Sequence, residues 1–195
     1  MIRLFDVVIK LSLFVKEIDD AIERNKQDES SKISPNFIED LLNVHRKYSV
    51  VIREQLQRDI MFEKALVQAF QHIMKDEPKD HLSKKLNSDD GTTSYFVSPN
   101  AKCVAEKVDH IYRNSNEFDT RDDLEQRLSE CASLFDFLMD KDIFIDFHTH
   151  FLSQRLLGKS VSTNEEKYLI GQIKMKQGPQ FTARQETMIV DLEKY

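Results

Sequence analysis

From Leu4 onward apolar residues return in alternating steps of four and three, through Val8, Leu11, Val15 and Ile18 to Ile22. That spacing draws one stripe along a helix, and such a stripe has to pack on something. The polar run NKQDESSKIS interrupts it. Ser34 and Pro35 then predict a new start, serine as cap and proline in the first turn, and Ile38, Leu41, Leu42, His45, Tyr48, Ile52 and Leu56 carry the pattern on. Asp59 predicts the cap of a further helix that buries Phe62, Leu66, Phe70 and Ile73 and stops near Pro78. The stretch from Lys79 to Tyr95 has no period and reads as a long loop.

Ser98-Pro99 repeats the start signal ahead of Val104, Val108, Ile111 and Tyr112. Thr120 with Asp123 has the form of a capping box, followed by Leu124, Leu128, Cys131, Phe135 and Leu138. Asp142 is the expected cap of the next segment, which runs through Phe144, Phe147 and Phe151 to a stop at Gly158. Ser162 with Glu165 opens a helix carrying Leu169, Ile170 and Ile173 up to Gly178-Pro179, and Thr182 with Gln185 opens a last one with Met188, Ile189 and Leu192. That last pattern is still running at Tyr195, which reads as a cut, whereas Met1 at a plausible start reads as a complete short product.

Composition agrees with an all-α chain: 195 residues contain Gly 4, Pro 4 and no Trp, with 40% hydrophobic residues to fill a core. A net charge of -6 argues against nucleic acid as a partner. Asp6 and Lys10 break the apolar N-terminus, so no signal peptide is expected, and no run of about 18 apolar residues is present to span a membrane. Cys103 and Cys131 each fall inside an apolar helical pattern, which suits reduced, packed thiols in a cytoplasmic or nuclear protein.

The stretch IDFHTHF poses a chemical question. On a strand, Asp146, His148 and His150 would share a face and suit a metal-dependent hydrolase. On a helix, His148 and His150 point roughly 200° apart and cannot share an ion. The cap before the stretch, Gly158 after it and the apolar spacing on both sides favour the helix, so these histidines are expected to be solvent-facing or partly packed, and no metal is expected. A barrel hydrolase would also need roughly 250 residues. GTTS lacks the glycine and lysine of a phosphate-binding loop, neither cysteine lies in a recognisable nucleophile set, and no cofactor is expected. In QHIMKD, Lys75 reads as an ordinary exposed lysine at a helix end.

Four stretches together resemble the cullin family, the helical scaffolds of multisubunit ubiquitin ligases. LLNVHRKYSVVIREQLQRDIMFEKALVQAF is similar to the third N-terminal repeat of that family, and SPNAKCVAEKVDHIY to the helix that closes it. LFDFLMDKDIFIDFHTHFLSQRLL resembles the family's K-D-x-F and L-x-x-R-L-L elements through Lys141, Asp142, Phe144, Leu152, Arg155, Leu156 and Leu157. The segment from Glu166 to Leu192 is similar to its last motif through Gly178, Phe181 and Thr182. Gly171, Pro179 and Gln185 depart from the family pattern, which suggests a looser bundle.

The resemblance implies an all-α fold in two parts: residues 1–115 as the last cullin-type helical repeat, and residues 116–195 as the opening helices of a four-helix bundle. It further implies a non-catalytic scaffold segment that works with the adaptor and RING subunits of a cullin-RING ligase, and that spaces the two ends through packing of Phe62, Phe70, Phe135, Phe144, Phe147 and Phe151. A stand-alone helical interaction protein derived from a cullin is the other reading.

Overall fold

The computed structural model describes residues 35–75, 99–158 and 162–194, together with residues 13, 14, 16, 17 and 20. Among them are seven α-helices and two short 3-10 segments. The helices are α1 (Pro35–Glu54), α2 (Ile60–Met74), α3 (Pro99–Arg113), α4 (Arg121–Phe137), α5 (Lys141–Gly158), α6 (Thr163–Gln177) and α7 (Ala183–Glu193). The stripe from Leu4 to Ile22, the caps Ser34 and Ser98, His81 and the loop over 79–95 lie outside the described residues.

Local chemistry explains most of the boundaries. The Asp59 carboxylate accepts from the Met61 amide and starts α2, and Thr120 with Asp123 forms a full capping box at α4. The Ser162 hydroxyl accepts from the Asn164 amide at α6, and Gly178, at φ 96°, ends that helix in a conformation that side chains rarely adopt. Three boundaries differ from the pattern. Leu56 is buried as expected but lies beyond α1, because Gln57 and Arg58, at φ 53° and 57°, turn the chain sharply into α2. Asp142 lies inside the first turn of α5 rather than capping it; the Asp140 carbonyl takes the Phe144 amide, so the helix begins earlier. Thr182 precedes α7, yet its side chain makes no cap bond, since the hydroxyl donates to the Glu186 carboxylate at 2.8 Å.

One core runs through α1 to α6, and α3 packs on both α4 and α5. At its first end Phe70, fully buried, gathers an aromatic group. Its ring centroid lies 6.3 Å from Phe14, 5.3 Å from His45 and 5.2 Å from Phe137. Phe14, which is not in the predicted N-terminal stripe, is buried and meets Tyr48 edge-on at 4.6 Å. Farther along, Phe135 and Phe144 are buried in contact at 4.8 Å, whereas Phe62, Phe147 and Phe151 are only half-buried against the core. A smaller cluster of Leu152, Leu156, Ile170 and Ile189 joins α5 and α6 to α7. Leu192, expected on the buried stripe of α7, is 39% exposed.

The exposed faces are laced by ion pairs. Glu39 on α1 binds Lys107 of α3 and Arg127 of α4, and Arg127 shares Glu130 with Arg46 of α1. Burial pushes the Glu130 carboxyl up, but Arg46 and Arg127 outweigh it and hold the group below the usual carboxylate range.

Gly171, one of the departures from the family pattern, sits within α6 with nothing inside 4 Å of where a Cβ would stand. Gly171→Ala is therefore expected to stabilise the chain by up to about 1 kcal/mol, through helix propensity alone. A rise in the urea midpoint at unchanged slope is the check, and a fall would mean that the glycine answers a packing need.

Candidate functional site

The densest buried chemistry lies where α3, α5 and α6 meet. Arg155, in the last turn of α5, is completely buried, and so is Glu166, in the first turn of α6. The Arg155 guanidinium grips Glu166 with two bonds, Nε to Oε1 at 2.5 Å and Nη2 to Oε2 at 3.0 Å, and donates from Nη1 to Asp109 Oδ1 of α3 at 2.5 Å. It lies over the Tyr112 ring at 4.6 Å, a cation–π contact. The Tyr112 hydroxyl donates in turn to the Glu165 carbonyl, 3.2 Å away. At the edge, Arg113 holds the second oxygen of Asp109 at 2.6 Å.

Helix ends help to place these charges. A cation at the carboxyl end of α5 and an anion at the amino end of α6 both oppose the local helix dipole. Burial works against charge at both groups: it pushes the Glu166 carboxyl up despite Arg155, whereas at Arg155 the carboxylates of Glu166 and Asp109 overcome it and raise the guanidinium further. Burial likewise raises the Tyr112 hydroxyl well above its ordinary value.

Lys141, at the start of α5, closes the preceding turn. Its ammonium donates to the carbonyls of Asp136 at 3.2 Å and Leu138 at 2.8 Å, satisfying groups that the end of α4 leaves open, and lies 5.8 Å from the Phe135 ring. Asp142 is exposed, and Phe144 and Leu152 are buried. Of the remaining motif residues Leu156 and Thr182 are buried, Phe181 is half-buried and Leu157 is 82% exposed. The structure thus brings Arg155 to partners that the motif does not contain, while Gly178, Phe181 and Thr182 form the α6–α7 turn away from it.

The IDFHTHF stretch is helical, and its three polar side chains diverge. Asp146 and His150 are exposed, and His148 is completely buried, which corrects the expectation of solvent-facing or partly packed histidines. Periodicity explains the outcome: Phe144 and His148 are one turn apart on the inward face, their rings stacked at 5.7 Å. The Gln185 amide donates to His148 Nδ1 at 3.0 Å and to Thr149 Oγ1 at 3.1 Å. Gln185, read from sequence as a cap partner and a loosening departure, is therefore a buried contact between α7 and α5. Among the described residues no group of three or more His, Cys, Asp or Glu is placed to hold a metal. Cys103 is half-buried; Cys131 is buried, its thiol pushed up to about 12 by burial. Among the described residues no helix is long and apolar enough to cross a membrane.

Glu166, Asp109 and Tyr112 were not singled out as a site from sequence. The available signal was an acidic first turn in α6 following an arginine in the last turn of α5, together with Asp109 flanked by the buried stripe of α3.

Among the described residues buried polar contacts join helix to helix, and the fold is all-α with one main core continuing from helix to helix. The comparisons agree. A family model described as the cullin alpha solenoid domain matches residues 3–194. Human cullin-4A is 29% identical over 183 residues, covering 93% of this chain and 21% of the relative. Cullin-1 of Oryza sativa subsp. japonica is 26% identical, covering 91% and 22%, and cullin-3A of Arabidopsis thaliana is 30% identical, covering 85% and 20%. The chain belongs to the cullin family. It spans about a fifth of the length of these curated relatives.

Proposed function

We propose that this chain is a stalk segment of a cullin-RING ubiquitin ligase, a non-catalytic spacer that holds the substrate-adaptor end and the RING end apart in ubiquitin-dependent protein degradation. The observation that carries this reading is the Arg155 node. A guanidinium buried against two carboxylates and a tyrosine ring ties three helices together in one geometry. Residues 1–115 form the end of the repeat array, and residues 116–195 open the bundle that follows. The smaller cluster of Leu152, Leu156, Ile170 and Ile189 lies wholly within the second part, although the main core continues across the boundary between the two. Lys141, Arg155 and Gly178 act as structural residues that set helix ends and crossings. Adaptor and RING subunits bind through other parts of the scaffold, in the cytoplasm or nucleus.

An immunoblot of the endogenous protein, using an antibody raised against residues 134–157, tests this directly. A band several-fold above 22.9 kDa that co-precipitates a RING subunit is the expected result. A band at 22.9 kDa without the RING subunit would replace the proposal with a stand-alone interaction protein.

A further inference from the structure

Two histidines are packed among the aromatic rings of the core. His45 of α1 stands edge-on to Phe70 of α2 and Phe137 of α4, with ring centroids 5.3 and 5.6 Å away. Ser49 Oγ lies 3.5 Å from its Nε2, beyond the range of a firm hydrogen bond. His148 of α5 is completely buried and stacked on Phe144.

The surroundings of His148 suit a neutral ring and offer a cation nothing. The Gln185 amide donates to Nδ1, so the ring carries its hydrogen on Nε2, which is buried with no hydrogen-bond partner among the described residues. A second proton would sit on Nδ1 and face that amide hydrogen. Turning the amide to present its oxygen would set the oxygen against Thr149 Oγ1, whose hydrogen already goes to the Ile145 carbonyl. The charge that bears on the ring is Arg155, of the same sign as an imidazolium. The carboxylates of the neighbouring helices are committed elsewhere: Glu166 of α6 and Asp109 of α3 to Arg155, and Glu186 of α7 to Lys174. The Tyr112 hydroxyl of α3 goes to the Glu165 carbonyl.

His45 is placed in a similar way. Glu130 of α4 favours a proton on it, but that carboxylate is held by Arg46 of α1 and Arg127 of α4. Asp136 of α4 is paired with Lys176 of α6, which itself repels a proton on the ring, and Glu17 is taken by Lys47 of α1.

We propose that His45 and His148 make this fold an acid sensor: both rings are neutral in the folded chain, and each proton that they bind in acid favours its opening. This inference stands apart from the ligase reading. Linkage gives the sign. Burial lowers the His45 imidazole, and burial together with Arg155 pushes His148 down to about 3. In the unfolded chain both return to about 6.5. A group depressed in the folded state stabilises it fully above the unfolded value and progressively less as pH falls below that value. Glu166, raised by burial, acts in the opposite direction, so the histidines are read by difference.

NMR of the imidazole Cε1–H signals of the 195-residue chain, from pH 7.5 to 5.5, tests whether the rings stay neutral. The His148 signal should hold its position throughout, and the His45 midpoint should lie below the one it shows after unfolding in urea. Urea unfolding at the same two pH values tests the coupling. From pH 7.5 to 5.5 the unfolding equilibrium of the wild type should rise at least tenfold more than that of a chain carrying His45→Leu, His148→Phe and Gln185→Leu, about tenfold being the share of His148 alone. Should the triple variant fail to fold, the wild-type titrations decide. A folded-state midpoint at either ring equal to its unfolded one would overturn the proposal, as would a variant whose pH response stays within about twofold of the wild type.

Discussion

Arg155→Met is expected to cost about 3–5 kcal/mol of folding stability, since it leaves the Glu166 carboxylate sealed in the core without its partner. The size of that loss describes the orphan, not the pair. Adding Glu166→Leu to the same chain removes the stranded charge and should recover most of the loss, because apolar pairs often replace buried ion pairs at little cost. Asp109 tolerates both changes, as Arg113 already holds its other oxygen at the surface. Arg155→Lys keeps the charge but loses the two-bond grip and the flat contact with Tyr112, so its cost should fall in between. Urea unfolding of the four chains is the measurement. A single Met variant within about 1 kcal/mol of wild type would mean that Glu166 takes up a proton and is not stranded.

Phe70→Ala should be as damaging, about 3–5 kcal/mol, for a different reason. Phe70 is fully buried and touches Phe14, His45 and Phe137, so one ring joins the N-terminal helical residues, α1, α2 and α4. Truncating it opens a void whose walls belong to four separate segments, none of which can move in without leaving another contact. Phe62→Ala, at a half-buried position on the same helix, should lose much less. Equal losses at the two positions would show that the aromatic group collapses around the gap.

The contrast between these two sites follows what the sequence could reveal. Phe70 was legible as a core residue because a buried apolar stripe repeats at helical spacing, and the caps at Asp59, Thr120 and Ser162 were legible because capping is decided by residues two or three positions apart. Arg155 was legible only as a member of a family motif. Its partners lie 11 and 46 residues away, and no local spacing rule connects them. His148 and Gln185 failed for the same reason. Each taken alone is a polar residue suited to a helix surface, and only the meeting of α5 with α7 makes them an inside pair. Gly178 shows the opposite limit: its break was readable from the Gly-Pro pair because it depends on the chain's own backbone.

The single core that crosses from α1 to α6 has a consequence for what a protease would leave behind. The connector between α3 and α4, a 3-10 turn at Ser115–Glu117 with Glu117 and Asp119 exposed, is the kind of segment at which a folded chain is nicked. Cutting there severs one covalent link but not the interdigitated side chains of α3 with α4 and α5, so the two pieces would remain a single particle and part only in denaturant. Covalent continuity and physical continuity run along different paths in this molecule, and the second is carried by its side chains.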